Sequence, residues 1–165
     1  MSQQRHGTPH PDRDYNHDER TIELLRTVGE NLIQLAPPDW QRLDLEYRGT
    51  AAVSDYGFWC TLDSGKIFQI PEPLFAASRA LDQLRDMMYE PGRGTWFLAR
   101  YNLAENMEYR IVFDYDHDPL WFAPTDIGTW KTDLAIYPRD PQHMPKWLNQ
   151  ILSGEYKYLS EQGKQ

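Results

Sequence analysis

An α+β fold is predicted, with an antiparallel β-sheet of about five strands (a meander plus a hairpin) packed with two to three helices. Three features of the chain predict it. Apolar residues recur at three- and four-residue spacing near the N-terminus and again in the middle. Elsewhere the period drops to two, the mark of strands with one face on a core. The links between the first three alternating stretches are too short for parallel crossovers, so those strands run antiparallel. The 165 residues make one domain, over 16–153, between a polar N-terminal tail (1–15) and a polar C-terminal tail (154–165). With 6 Trp, 10 Tyr and 6 Phe the chain has the material for a core.

The first element is a helix over 18–35. Asn16 as N-cap with Glu19 three residues on has the form of a capping box, and Asp18 adds negative charge to the first turn. Ile22, Leu25, Val28, Gly29, Leu32 and Leu35 form its apolar stripe, and Pro37–Pro38 stop it. Leu43, Leu45 and Tyr47 then alternate with Arg42, Asp44, Glu46 and Arg48, as in a half-buried strand. Residues 51–62 read as a second strand with a bulge near Gly57, and 66–70 as a third after the Asp63-Ser64-Gly65 turn. A second helix follows Pro71 and Pro73, with Leu74, Ala77, Leu81, Leu84 and Met88 on one face and Pro91-Gly92 at its end.

A hairpin comes next, 95–101 paired with 107–115. On its second strand Glu108, Arg110, Val112 and Asp114 share one face; Met107, Tyr109, Ile111, Phe113 and Tyr115 share the other. Residues 116–145 show no clear period, and Lys131 to Tyr137 reads as extended. Pro141 to Leu152 reads as a closing helix with Pro145 near its true first turn and Gly154 at its end.

Charge and cysteine content narrow the function. A formal net charge of -8 repels phosphate backbones and anionic lipid, so nucleic acid and membrane surfaces are poor partners, while a basic protein is favoured. Cys60, the one cysteine, sits in the apolar run Phe58-Trp59-Cys60 and reads as a buried small hydrophobe. No run of ~18 apolar residues and no signal-peptide h-region is present, which places the protein in the cytoplasm. His6, His10 and His17 lie in or beside the tail, with no spacing that fixes a metal geometry.

The densest polar cluster is Asp114-Tyr115-Asp116-His117-Asp118, followed by Pro119, Leu120, Trp121 and Phe122. Carboxylates at alternate positions open a calcium-binding EF-hand loop, but that loop needs Gly at its sixth position and Glu at its twelfth, where Pro119 and Thr125 stand. An Asp-x-Asp metal pair for sugar-nucleotide transfer needs a nucleotide-binding α/β sheet, not a meander. Alternate carboxylates on one strand face repel one another unless a cation lies opposite. The cluster therefore reads as built to meet positive charge on a partner. A small metal-dependent enzyme or metal-binding protein using Asp114, Asp116, His117 and Asp118 is the alternative. Ser54, Ser64 and Ser78 lack a nucleophile elbow. Arg100 and Arg110 interleave with Tyr101 and Tyr109 as in a single-strand nucleic-acid platform, though Glu105, Glu108 and Asp114 cancel that field. Trp121, Phe122 and Trp130 are either core lids or interface anchors.

The tract Tyr109-Arg110-Ile111-Val112-Phe113-Asp114-Tyr115-Asp116 resembles the final strand of the YezG-like family of bacterial immunity proteins, where an alternating aromatic strand ends in Asp-Tyr-Asp before an acidic, aromatic loop. The opening is similar too: a helix, then Pro37-Pro38-Asp39-Trp40 leading into a charged alternating strand. Asp118 to Phe122, Lys131-Thr132-Asp133-Leu134 and Pro138-Arg139-Asp140 look like an actinobacterial branch, and the likeness spans roughly 18–150. The resemblance implies an antiparallel α+β fold, no enzymatic activity, no cofactor and no metal. It implies a cytoplasmic protein that binds and neutralises a cognate polymorphic toxin, often a nuclease and expected to be basic. Asp114, Asp116, His117 and Asp118 would then face the toxin, with Trp121 and Phe122 as apolar anchors.

Overall fold

Alternation along residues 40–62 and 98–114 builds the sheet on which everything else is laid. The computed structural model describes residues 18–121 and 125–155. Within them the order is α1 (Glu19–Leu35), β1 (Trp40–Gly49), β2 (Ser54–Leu62), β3 (Ile67–Gln69), α2 (Phe75–Met87), β4 (Leu98–Ala104), β5 (Tyr109–Asp114), α3 (Ile127–Ile136), a single 3-10 turn (Pro141–His143) and α4 (Lys146–Ser153). The five strands form one sheet in the order β3-β2-β1-β4-β5, every neighbouring pair antiparallel. The α+β class is as the sequence predicts, with four α-helices in place of two to three.

Register follows from the period of two. Leu45 lies between Phe58 and Tyr101, and Leu43 between Cys60 and Leu103. These side chains are buried under α1 and α2, which contribute Leu24, Leu25, Val28 and Leu32, and Ala77, Leu81 and Leu84. Gly29 belongs to that packing: a Cβ there would come within 2.7 Å of the Tyr101 hydroxyl.

Helix ends depart from expectation in instructive ways. Asp18, not Asn16, caps α1, its carboxylate accepting the Thr21 N–H at 3.1 Å; Asn16 lies outside the described residues. α2 has no cap of its own, and Asn31 of α1 supplies one across the helix pair by accepting the Ala77 N–H at 2.9 Å. Gly154 ends α4 as expected, at φ +79°, where its N–H and that of Glu155 close on the last turn.

Two expectations are overturned. The stretch 131–137, read as extended, is the second half of α3 through Ile136 and its C-cap Tyr137. Its β-branched residues favour a strand, but Asp126 caps the helix by accepting the Thr129 N–H at 2.9 Å. The helix buries Trp130 and Asp133 while leaving Ile127 and Ile136 exposed, so no apolar stripe announces it. The β-bulge also moves: the irregularity in the β1–β2 ladder lies between Trp40 and Arg42, and Gly57 pairs regularly with Glu46.

α3 and α4 close a second, aromatic core at one end of the sheet, made of Phe97, Trp121, Trp130, Leu148 and Ile151. Phe97, Trp130 and Trp147 meet edge to face at 5.4–5.5 Å between centroids. Arg85 of α2 joins the two cores. Its guanidinium forms a bidentate ion pair with Asp133 of α3 at 2.7 and 2.9 Å, and its Nε donates to the Trp96 carbonyl. Both side chains are almost fully buried. Asp133→Ala leaves that guanidinium buried without its counter-charge, and urea denaturation is expected to show a loss of about 3–5 kcal/mol. The double variant Arg85→Met with Asp133→Leu is expected to recover most of it; a loss under about 1 kcal/mol for the single variant contradicts this role.

Candidate protein-binding surface

The acidic run that follows β5 is folded in on itself. Asp114 accepts the backbone N–H of Asp116 at 3.1 Å and of His117 at 3.0 Å, and the His117 ring lies 2.9 Å from its other oxygen. Partial burial pushes the Asp114 carboxyl up, but these donors outweigh it and hold the group below the usual carboxylate range. Asp118 accepts the Leu120 N–H at 2.9 Å. Asp116 faces Arg139 at 3.5 Å and Arg93 at 3.9 Å. Arg139 is itself interior, its side chain 1% exposed, and donates to the carbonyls of Thr95, Tyr115 and His143.

The expectation of an uncompensated acidic patch is thereby corrected. The positive charge opposite the run comes from this chain's own Arg93 and Arg139, because the loop folds back onto the β4 entrance and the 138–145 segment. Trp121 is no exposed anchor either: it is buried at 1% against Trp130, and both are core lids. Phe122 lies outside the described residues. Asp116 and His117 keep an outer edge in solvent, and among the described residues no three His, Cys, Asp or Glu side chains are gathered to hold a metal ion.

Arg100 and Arg110 are likewise separated from their presumed aromatic partners. Tyr101 is buried and stacks on Tyr109 at 5.6 Å on the helix-covered side, whereas the arginines project from the opposite face. An interleaved nucleic-acid platform does not form.

That opposite face is where an unrecognised surface lies. β1, β2, β4 and β5 turn Asp44, Glu46, Trp59, Arg100, Asn102, Arg110 and Val112 away from α1 and α2. Its acids are answered within the sheet: Asp44 by Arg42 at 2.8 Å and by Asn102, Glu46 by Arg48 at 2.6 Å. Arg48 also donates to the Pro119 carbonyl, so the loop after β5 covers one end of the face. Arg100 and Arg110 are exposed, and among the described residues neither makes an ion pair or hydrogen bond.

Between them and the β3 edge lies Trp59, half-buried. Its indole rests on Gly57, two residues back on the same strand face. A Cβ at Gly57 would stand 2.0 Å from the ring. The glycine that suggested a bulge is instead a seat, which lays a large aromatic flat on an otherwise polar sheet. The signal was present in the sequence: with Phe58 and Cys60 pointing inward, Trp59 must point out.

A polar cavity of about 310 Å³ opens between residues 50–54, α2 and α3, with Asp82 and Arg85 in its wall. Tyr47 donates to Asp82 at 2.7 Å at its edge. Burial pushes the Tyr47 hydroxyl above its ordinary value, so it stays protonated and serves as that donor. The contact ties β1 to α2.

No protein-family model matches the chain, and no curated protein matches it.

Gly57→Ala tests the seat directly. The ring is at the surface and can swing away, so a thermal melt is expected to register under about 1 kcal/mol of lost stability. The Trp59 indole N–H resonance is expected to move far more than that of any other tryptophan. An unmoved resonance contradicts the contact.

Proposed function

We propose that this chain is an immunity protein, a non-enzymatic domain that binds a cognate polymorphic toxin and neutralises it in the cytoplasm of the producing bacterial cell. The observation that carries this reading is the sheet face turned away from α1 and α2, where the Trp59 ring rests on Gly57 and Arg100, across Glu46 from that glycine, makes no ion pair or hydrogen bond among the described residues. Tryptophan and arginine are the residues most enriched where binding energy concentrates, because each adds a large contact area and a planar donor array at low entropic cost. The 109–116 tract that resembles the YezG-like final strand supplies one edge of that same sheet.

The charges divide the work. At long range a net charge of -8 steers a basic toxin toward the molecule. At contact, Arg100 calls for a carboxylate or carbonyl on the toxin, and the exposed edge of Asp116 and His117 contributes at the rim, where salt screens it.

The test is co-expression with the toxin encoded beside this chain. The wild-type protein is expected to protect the cell and to purify with the toxin in a one-to-one complex. Trp59→Ala combined with Arg100→Glu is expected to weaken the complex by at least tenfold and abolish protection, with thermal stability little changed. Asp116→Lys is expected to slow association without removing protection. If the wild-type chain neither binds nor protects, the immunity reading is wrong. Full protection by the Trp59/Arg100 variant removes this face from the interface.

A further inference from the structure

β5 closes one edge of the sheet, and among the described residues no strand covers its outer side. Glu108 and Asp114 direct their carbonyls at β4, bonding Ala104 N–H at 2.9 Å and Phe97 N–H at 3.0 Å. In an antiparallel ladder this direction alternates. Residues 108, 110, 112 and 114 therefore bond inward, and Tyr109, Ile111 and Phe113 aim their N–H and C=O groups outward. Among the described residues no strand pairs with that side. β5 has no proline, no lysine and no bulge to blunt the edge, its register with β4 being unbroken, and its charges are the opposite pair Arg110 and Asp114. Apolar side chains gather there instead, with Met107 57%, Val112 44% and Tyr109 38% exposed.

We propose that this edge pairs with the same edge of a second copy of the chain, antiparallel about a two-fold axis at Val112, joining the two sheets into one. The sequence of β5 is self-complementary in that register. Val112 meets Val112, Arg110 meets Asp114 of the second copy on both sides of the axis, and Ile111 meets Phe113 on the opposite face. The pairs at 112 and 110/114 are non-hydrogen-bonded ones, in which side chains approach most closely. Each copy's Ile111 and Phe113 exchange their outward backbone bonds with the other's.

An axis at Phe113 sets Asp114 against Val112 and needs residues 115 and 116, beyond the end of β5, and the registers toward the start of the strand fail on charge. An axis at Ile111 sets Glu108 against Asp114, and an axis at Arg110 sets the two arginines against each other. A one-residue slip that mixes inward and outward groups cannot bond at all. Arg110 has no ion pair within its own chain among the described residues, and Asp114 keeps acceptor capacity beyond the bonds to its loop. The interface is isologous, as a closed dimer requires.

Sedimentation equilibrium of the full chain from ~5 to ~200 µM tests this, since a small edge-to-edge interface associates in a concentration-dependent way. The mass is expected to rise from 19.5 kDa toward twice that value. Val112→Lys places two ammonium groups together on the axis and is expected to weaken the dimer at least a hundredfold. Val53→Lys, an equally exposed valine remote from the edge, is expected to dimerise as the wild type does. Arg110→Asp is expected to weaken association at least tenfold, with an unchanged thermal melt in each variant. A wild-type mass of 19.5 kDa throughout overturns the proposal, whether a terminal segment or nothing covers the edge. Association of Val112→Lys as tight as wild type overturns it too, and an unweakened Arg110→Asp dimer overturns the register.

Discussion

One buried ion pair organises the molecule. Arg85 reaches from α2 into the space between the two cores, where Asp133 grips both of its terminal nitrogens. Asp133 also accepts the Ala51 N–H at 2.7 Å, and the Arg85 carbonyl accepts the Thr95 hydroxyl. Phe97 and Tyr137 lie against the guanidinium at 5.4 and 5.0 Å. A helix, the end of the central strand, the entrance to β4 and a second helix thus meet at one pair of charges. Desolvating two ions costs several kcal/mol each, and only such complete hydrogen bonding offsets it. Its return is geometric: α3 is held where Trp130 can close the aromatic core.

The fate of the acidic run follows from that docking. Once α3 is fixed, the chain beyond it carries Arg139 back beneath the β4 entrance, over the Phe97 ring at 4.8 Å and within reach of Asp116. Carboxylates crowded at a strand end need positive charge nearby, and alternation in the sequence shows that crowding. The source of that charge is set by tertiary folding. Arg93 and Arg139 stand more than twenty residues from the run on either side, at separations where no periodicity links them. The surface proposed to bind a toxin is therefore the sheet face turned away from α1 and α2, with the acidic run at its margin.

Local periodicity made the strands, α1 and α2 legible, because Leu43, Leu45 and Tyr47 or Leu25, Val28 and Leu32 repeat with the spacing of their own element. Pro37–Pro38, Pro91-Gly92 and Gly154 marked boundaries for the same reason: their backbone constraints act on immediate neighbours. α3 stayed hidden because its buried residues include an aspartate whose burial makes sense only with Arg85 in place. Trp59 was half legible. Alternation turns it outward, yet only the packed structure shows which sheet face the helices leave bare and that Gly57 serves as the ring's seat. Trp121 illustrates the converse, since a proline-rich aromatic segment offers the same pattern whether it lines a core or an interface.

Fluorine NMR of the chain labelled with fluorotryptophan tests the central claim most directly, because two of its six tryptophans report on the competing surfaces. Trp59 lies on the open face, while the Trp147 indole donates to the Asp116 carbonyl and so senses the acidic run. On adding a candidate toxin partner, the Trp59 signal is expected to shift or broaden while the buried Trp96, Trp121 and Trp130 signals hold still. A silent Trp59 with a moving Trp147 contradicts the account and returns the interface to the acidic loop.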